Sequence, residues 1–151
     1  PFDEPLRARA RETVSLAIQS LEELERSLSE PTKDGAAGKR ATEDGSLSHE
    51  LRLGLQQVRW QLGLAYRNLA ELMPAESQAR SNALEDAAKS FRKLIGVADD
   101  PLPFRAKLGL ASCSRLKGDL DRSLEMLAAL ERTEPRPSDE LLDELVAERA
   151  R

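Results

Sequence analysis

Apolar residues recur along this chain at intervals of three and four, with charges between them, and nowhere in a sustained β-branched alternation. That period is the signature of amphipathic helices, so the pattern predicts a series of them. The first runs from about Pro5 to Ser29, with Val14, Ala17, Leu21, Leu24 and Leu28 on one line and Ile18 widening it. Arg11, Glu22, Glu25 and Arg26 fall on its other faces. From Glu30 to Ser46 no large apolar residue occurs, and one proline and three glycines do, so a flexible loop is expected. A second helix is predicted from Ser48 to Leu72, along Leu51, Leu55, Val58, Leu62, Ala65, Leu69 and Leu72. It carries another apolar line, Leu53, Trp60 and Leu64, on a different side.

Pro74 breaks the chain, and a third helix follows from Ala75 to Ile95 along Ala83, Leu84, Ala87, Ala88, Phe91, Leu94 and Ile95. Gly96 is read as its C-terminal cap and Asp99-Asp100-Pro101 as a turn. A fourth spans Pro103 to Leu116, with Leu108, Leu110 and Ala111 apolar, and ends at Gly118. Asp119 suits the N-cap of a fifth, which runs to Arg132 with Leu120, Leu124, Leu127 and Leu130 inward until Pro135 and Pro137 stop it. Ser138 opens a last helix bearing Leu141, Leu142, Leu145 and Val146. Mostly short links between helices favour antiparallel neighbours, so the expected fold is all-α.

Two stretches share a finer pattern. Leu62-Gly63 and Tyr66 are followed in the next helix by Ala87 and, four residues on, Phe91. Thirty-four residues, Phe104 to Pro137, then repeat the scheme: Leu110-Ala111, the Gly118-Asp119 turn, Ser123 with Leu127, and the closing Pro135. Small residues where helices approach and large ones between them fit a packed hairpin. In this spacing the chain resembles the tetratricopeptide repeat (TPR) family, whose units read W-x2-L-G-x2-Y, then A-x3-F, then P. The match departs in identity. Trp60 falls one residue late, Lys107 and Ser114 replace the aromatic residues of the second unit, and the first unit has lengthened helices.

The resemblance implies antiparallel helical hairpins stacked as a short right-handed solenoid. Residues 1–29 would be an N-terminal helix acting as a cap or half repeat, 30–47 the loop, 48–101 and 102–137 two units, and 138–151 a C-terminal capping helix. It also implies a concave groove lined by the first helix of each unit. The groove-facing residues would be Gln57, Trp60, Leu64, Arg67 and Asn68, then Arg105, Leu108, Ser112, Arg115 and Leu116. The Lys/Asn carboxylate clamp of some chaperone-binding members is absent, because Trp60 and Leu64 take two of its places. An apolar groove with an arginine rim suits an apolar or amphipathic helix bearing acidic residues. Leu53, Trp60 and Leu64 are also suited to packing beneath the first segment.

Composition narrows the function classes. The chain has 151 residues, 40% hydrophobic and 33% charged but only 3% aromatic, enough for one domain with a core. Its net charge of −4 argues against nucleic acid as a partner. Cys113 is the single cysteine and His49 the single histidine, far apart in sequence, which leaves neither a disulfide nor a Cys/His metal set. Gly35 to Arg40 imitates a phosphate loop, but its glycine spacing is wrong and Arg40 stands where a hydroxyl belongs. No apolar run is long enough to cross a membrane. The expectation is therefore a protein–protein interaction scaffold, not an enzyme, without cofactor or metal, binding a protein or peptide. The alternatives are a self-assembly module forming a homo-oligomer, or a regulatory appendage of a larger multidomain protein. The chain opens on Pro1 rather than Met, so a removed upstream signal or anchor is expected to fit it as well as a cytoplasmic home does.

Overall fold

The structure is a computed structural model that describes residues 4–30, 49–96, 101–133 and 137–151. Residues 31–46 of the expected loop, with the Gly35–Arg40 run inside it, lie outside the described residues, as do Asp99, Asp100 and Pro135.

Six helices form in the order α1 (Glu4–Ser29), α2 (His49–Glu71), α3 (Gln78–Arg92), α4 (Leu102–Leu116), α5 (Leu120–Glu131) and α6 (Asp139–Arg149), with no strand among the described residues. The fold is all-α. Local chemistry sets several ends. The Ser77 hydroxyl accepts from the Arg80 N–H, so α3 begins three residues later than the apolar pattern implied. Pro103 occupies the first turn of α4, where its missing N–H costs nothing. Gly118 has φ of 88°, the one positive φ among the described residues, and turns the chain into α5. Asp119 then caps α5 by accepting from Arg122 N–H. Gly96 does not take the expected left-handed cap conformation; α3 ends at Arg92, and the N–H of Lys93 that follows bonds back to the Lys89 carbonyl.

The helices pack in chain order: α1 on α2, α2 on α3, α3 on α4 and α4 on α5, with α6 on both α4 and α5. Directions follow from side-chain contacts. Glu25 meets Arg59 while Arg11 meets the Leu72 carbonyl, so α1 and α2 are antiparallel. Arg80 reaches the carbonyls of Ala70, Met73 and Leu116, while Phe91, at the other end of α3, packs on Gly63 and Gly109. Hence α3 runs antiparallel to both α2 and α4, and those two, which also touch, are parallel. Arg105 pairs with Glu144 and Arg115 with Glu148, so α6 runs parallel to α4.

Two apolar clusters result. The larger joins α1 to α4 around Leu62, Leu84, Phe91 and Leu94, all essentially inaccessible. The smaller joins α4, α5 and α6 through Phe104, Ala111, Leu127, Leu130, Leu141 and Leu145. Several expected inward positions face out instead. Leu120 and Leu124 are exposed, because α5 is covered along Ser123, Leu127 and Leu130 only. Leu24 and Ile95 are exposed as well, and Ile18 replaces Leu24 as the central buried residue of α1.

Candidate functional site

Phe91 organises the centre of the molecule. A methyl group on Gly63 would overlap its ring, and one on Gly109 would lie 2.8 Å from it. Phe91 therefore lies between α2 and α4 where both present bare backbone, and this close approach brings the faces of those helices side by side. Trp60 lies against the same ring, with centroids 5.4 Å apart and planes tilted by 52°.

The residues that the sequence pointed to divide into three kinds of place. Gln57 and Asn68 are exposed on α2, with Leu53 exposed at 42% on the same side. Trp60 and Leu64 are half-buried and pack against the larger cluster. The ring contact of Trp60 is with Phe91 of α3, whereas Arg59 and Tyr66 are the α2 side chains bonded to α1, through Glu25 and Glu22. On α4 the picture changes. Ser112 is buried, and its hydroxyl has no partner among the described residues. Leu108 packs in the smaller cluster. Arg105 and Arg115 are already engaged by α6: Arg105 Nη2 lies 2.8 Å from Glu140 and 2.7 Å from Glu144, and Arg115 Nε 2.9 Å from Glu148. The Glu144 hydrogen bond raises the Arg105 pKa further.

Arg67 differs from Arg105 and Arg115. Its Nε is buried with no hydrogen-bond partner among the described residues; Glu71 Oε1 lies 3.8 Å away, outside hydrogen-bond reach. It opens onto a cleft of about 550 Å³ lined by Arg67, Glu71, Arg80, Arg115, Leu116 and Arg151. Sequence reasoning missed Arg80, which comes from α3, and Arg151, which follows α6.

The remaining titratable groups read as structural. Burial pushes the Cys113 thiol up to about 11, which leaves almost no thiolate at neutral pH. Burial and the hydrogen bond to Glu22 both raise the Tyr66 hydroxyl. His49 is exposed at the start of α2. No group of three or more His, Cys, Asp or Glu side chains among the described residues is placed to hold a metal ion. No described helix is long and apolar enough to cross a membrane. Comparison with known protein families, with curated proteins and with solved structures returns no match.

Proposed function

We propose that the chain is a protein-interaction scaffold, a short TPR-like stack of helical hairpins that holds a peptide or helix across the face of α2. The carrying observation is the alternation of direction and neighbour. Antiparallel α3 lies between parallel α2 and α4, and α6 lies parallel to α4, an order that fits stacked hairpins whose first helices share a face. Support also comes from the small residues at the close approaches: Gly63 and Gly109 against Phe91, and Ser123, whose hydroxyl donates to the Ala111 carbonyl at 2.9 Å. In this reading α2 offers the open part of the face, with exposed Leu53, Gln57 and Asn68 beside half-buried Trp60 and Leu64. The α4 part is occupied by α6.

Site-specific photo-crosslinking tests the proposal. A benzoylphenylalanine placed at Gln57 should give a discrete adduct with a partner protein in its native extract. The same group at Glu125, exposed on α5, should not. Adducts of equal yield from both positions count against the face. An adduct formed only with a second copy of the chain favours the self-assembly reading instead.

A further inference from the structure

The arginine cleft has an unusual charge balance for an acidic chain. Four side-chain guanidinium groups line it, from Arg67, Arg80, Arg115 and Arg151, and they meet two carboxylates, Glu71 and Glu148. Glu148 is buried and is shared between Arg115 Nε at 2.9 Å and Arg151 Nη1 at 3.2 Å. Arg80 donates to the last carbonyls of α2 and α4, which gather the negative ends of those two helix dipoles around it. Neither Arg80 nor Arg67 has a carboxylate at hydrogen-bond distance, but carbonyls satisfy Arg80, whereas Arg67 donates from Nη2 to Asn68 Oδ1 at 3.3 Å and its Nε has no acceptor among the described residues. The cleft therefore keeps a formal excess of positive charge in a protein whose net charge is −4.

The same molecule shows how such an arginine is otherwise satisfied. At the far end of α4 and along its length, Arg105 and Arg115 each receive glutamates from a helix lying beside them, at 2.7–2.9 Å. Arg67 on α2 receives no such glutamate from a neighbouring helix; its carboxylate neighbour is Glu71 of its own helix, at 3.8 Å. A buried guanidinium nitrogen without an acceptor costs stability, and an incoming carboxylate relieves that cost while gaining charge-assisted bonds.

We infer that the cleft is a carboxylate site, which takes a glutamate or aspartate side chain of the partner segment lying along α2. This rests on the α2-face reading above and adds to it a polar anchor at one end of an otherwise apolar contact. The guanidinium fork matches a carboxylate in two-point geometry, so arginine rather than lysine belongs at this place. A cleft of this size admits one or two acidic side chains, whereas a nucleic-acid strand would need a basic track that the chain lacks.

An acetylated, amidated hexaglutamate peptide is a suitable probe, with hexaglutamine and inorganic phosphate as comparisons, read by NMR of the arginine Nε–Hε signals. Saturable shifts at Arg67 and Arg115 with hexaglutamate, absent with hexaglutamine and weakened by added salt, are expected. Arg67→Gln should weaken binding about tenfold, Arg67→Lys by less, and Lys93→Gln, in the separate Glu25 cluster, should leave it unchanged. The proposal is overturned if Arg67 does not respond, if folded Arg67→Gln binds the peptide like the unaltered chain, or if phosphate binds as tightly. Hexaglutamate does not need the apolar face. Normal peptide binding without the Gln57 crosslink therefore defeats the face reading alone, and the crosslink without peptide binding defeats the cleft alone.

Discussion

Glycine at three positions of α2 and α4 illustrates how one residue type carries opposite meanings. In a helix interior Gly→Ala ordinarily gains about 1 kcal/mol. Gly54 has nothing within reach of an added methyl group, so Gly54→Ala should stabilise the protein by about 0.5–1 kcal/mol. Gly63 meets the Phe91 ring, which is fully buried and cannot move aside, so Gly63→Ala should cost about 1–3 kcal/mol. Urea denaturation of the two variants checks both signs, and a stabilising Gly63→Ala would contradict the close approach. Leu62, Gly63 and Phe91 were legible from the chain, because a small residue followed by a large one at the right offset describes a hairpin interior. Gly109 was not, since Leu110-Ala111 took its place in the expected pattern. The available signal was a glycine inside a helix with no turn to make, which points to close approach of a neighbour.

At the scale of elements, α1 is held to the rest by polar contacts as much as by its apolar line. Val14, Ile18, Leu21 and Leu28 pack on the larger cluster. Glu25 joins α1 to α2 through Arg59 at 2.9 Å and to Lys93, just past α3, at 2.8 Å. Burial by itself would raise the Glu25 carboxyl, but the hydrogen bonds from Lys93 and Arg59 outweigh it and hold the pKa below the ordinary 4.5. A carboxylate depressed in the native state contributes stability above its unfolded value, and loses it as pH falls through the native one. Glu25→Gln should therefore cost about 1–2 kcal/mol at pH 7, and the gap to the parent protein should shrink as pH falls from the ordinary 4.5 through the lower native value. Thermal melts from neutral into acid pH decide it; a gap that does not change with pH would mean that the Glu25 charge is not what stabilises the contact. The helix count and order were readable from periodicity, but the width of the covered stripe was not. Leu24, Leu120 and Leu124 continue their apolar lines yet remain exposed, because burial depends on where the neighbouring helix ends its contact.

Over the whole molecule the limit of the sequence is clearest at the cleft. Arg80, Glu148 and Arg151 carry no local signal; long charged side chains acquire meaning only when tertiary packing brings helix ends together. The division into two clusters was equally hidden, and it has a consequence for dynamics. The smaller cluster depends on α6, whose buried contribution is Leu141, Leu145 and the paired Glu148, while α2 and α3 share the most extensive interface of the fold. A domain built from successive helix pairs loses its terminal member more easily than its interior. Leu145 is 1% exposed, so Leu145→Ala should remove about 2–5 kcal/mol from the packing of α6. Amide hydrogen exchange should then rise in α6 and in the Leu127–Leu130 part of α5, where the smaller cluster loses its cover. The amides of α2 and α3 around Leu62 and Phe91 should keep their protection, because no residue of the larger cluster comes from α6. Release of α6 would take Glu148 and Arg151 away together, which frees the Arg115 guanidinium but leaves the formal charge excess of the cleft unchanged. Uniform loss of protection through all six helices would instead show a single cooperative unit in which α6 is not a separable cover.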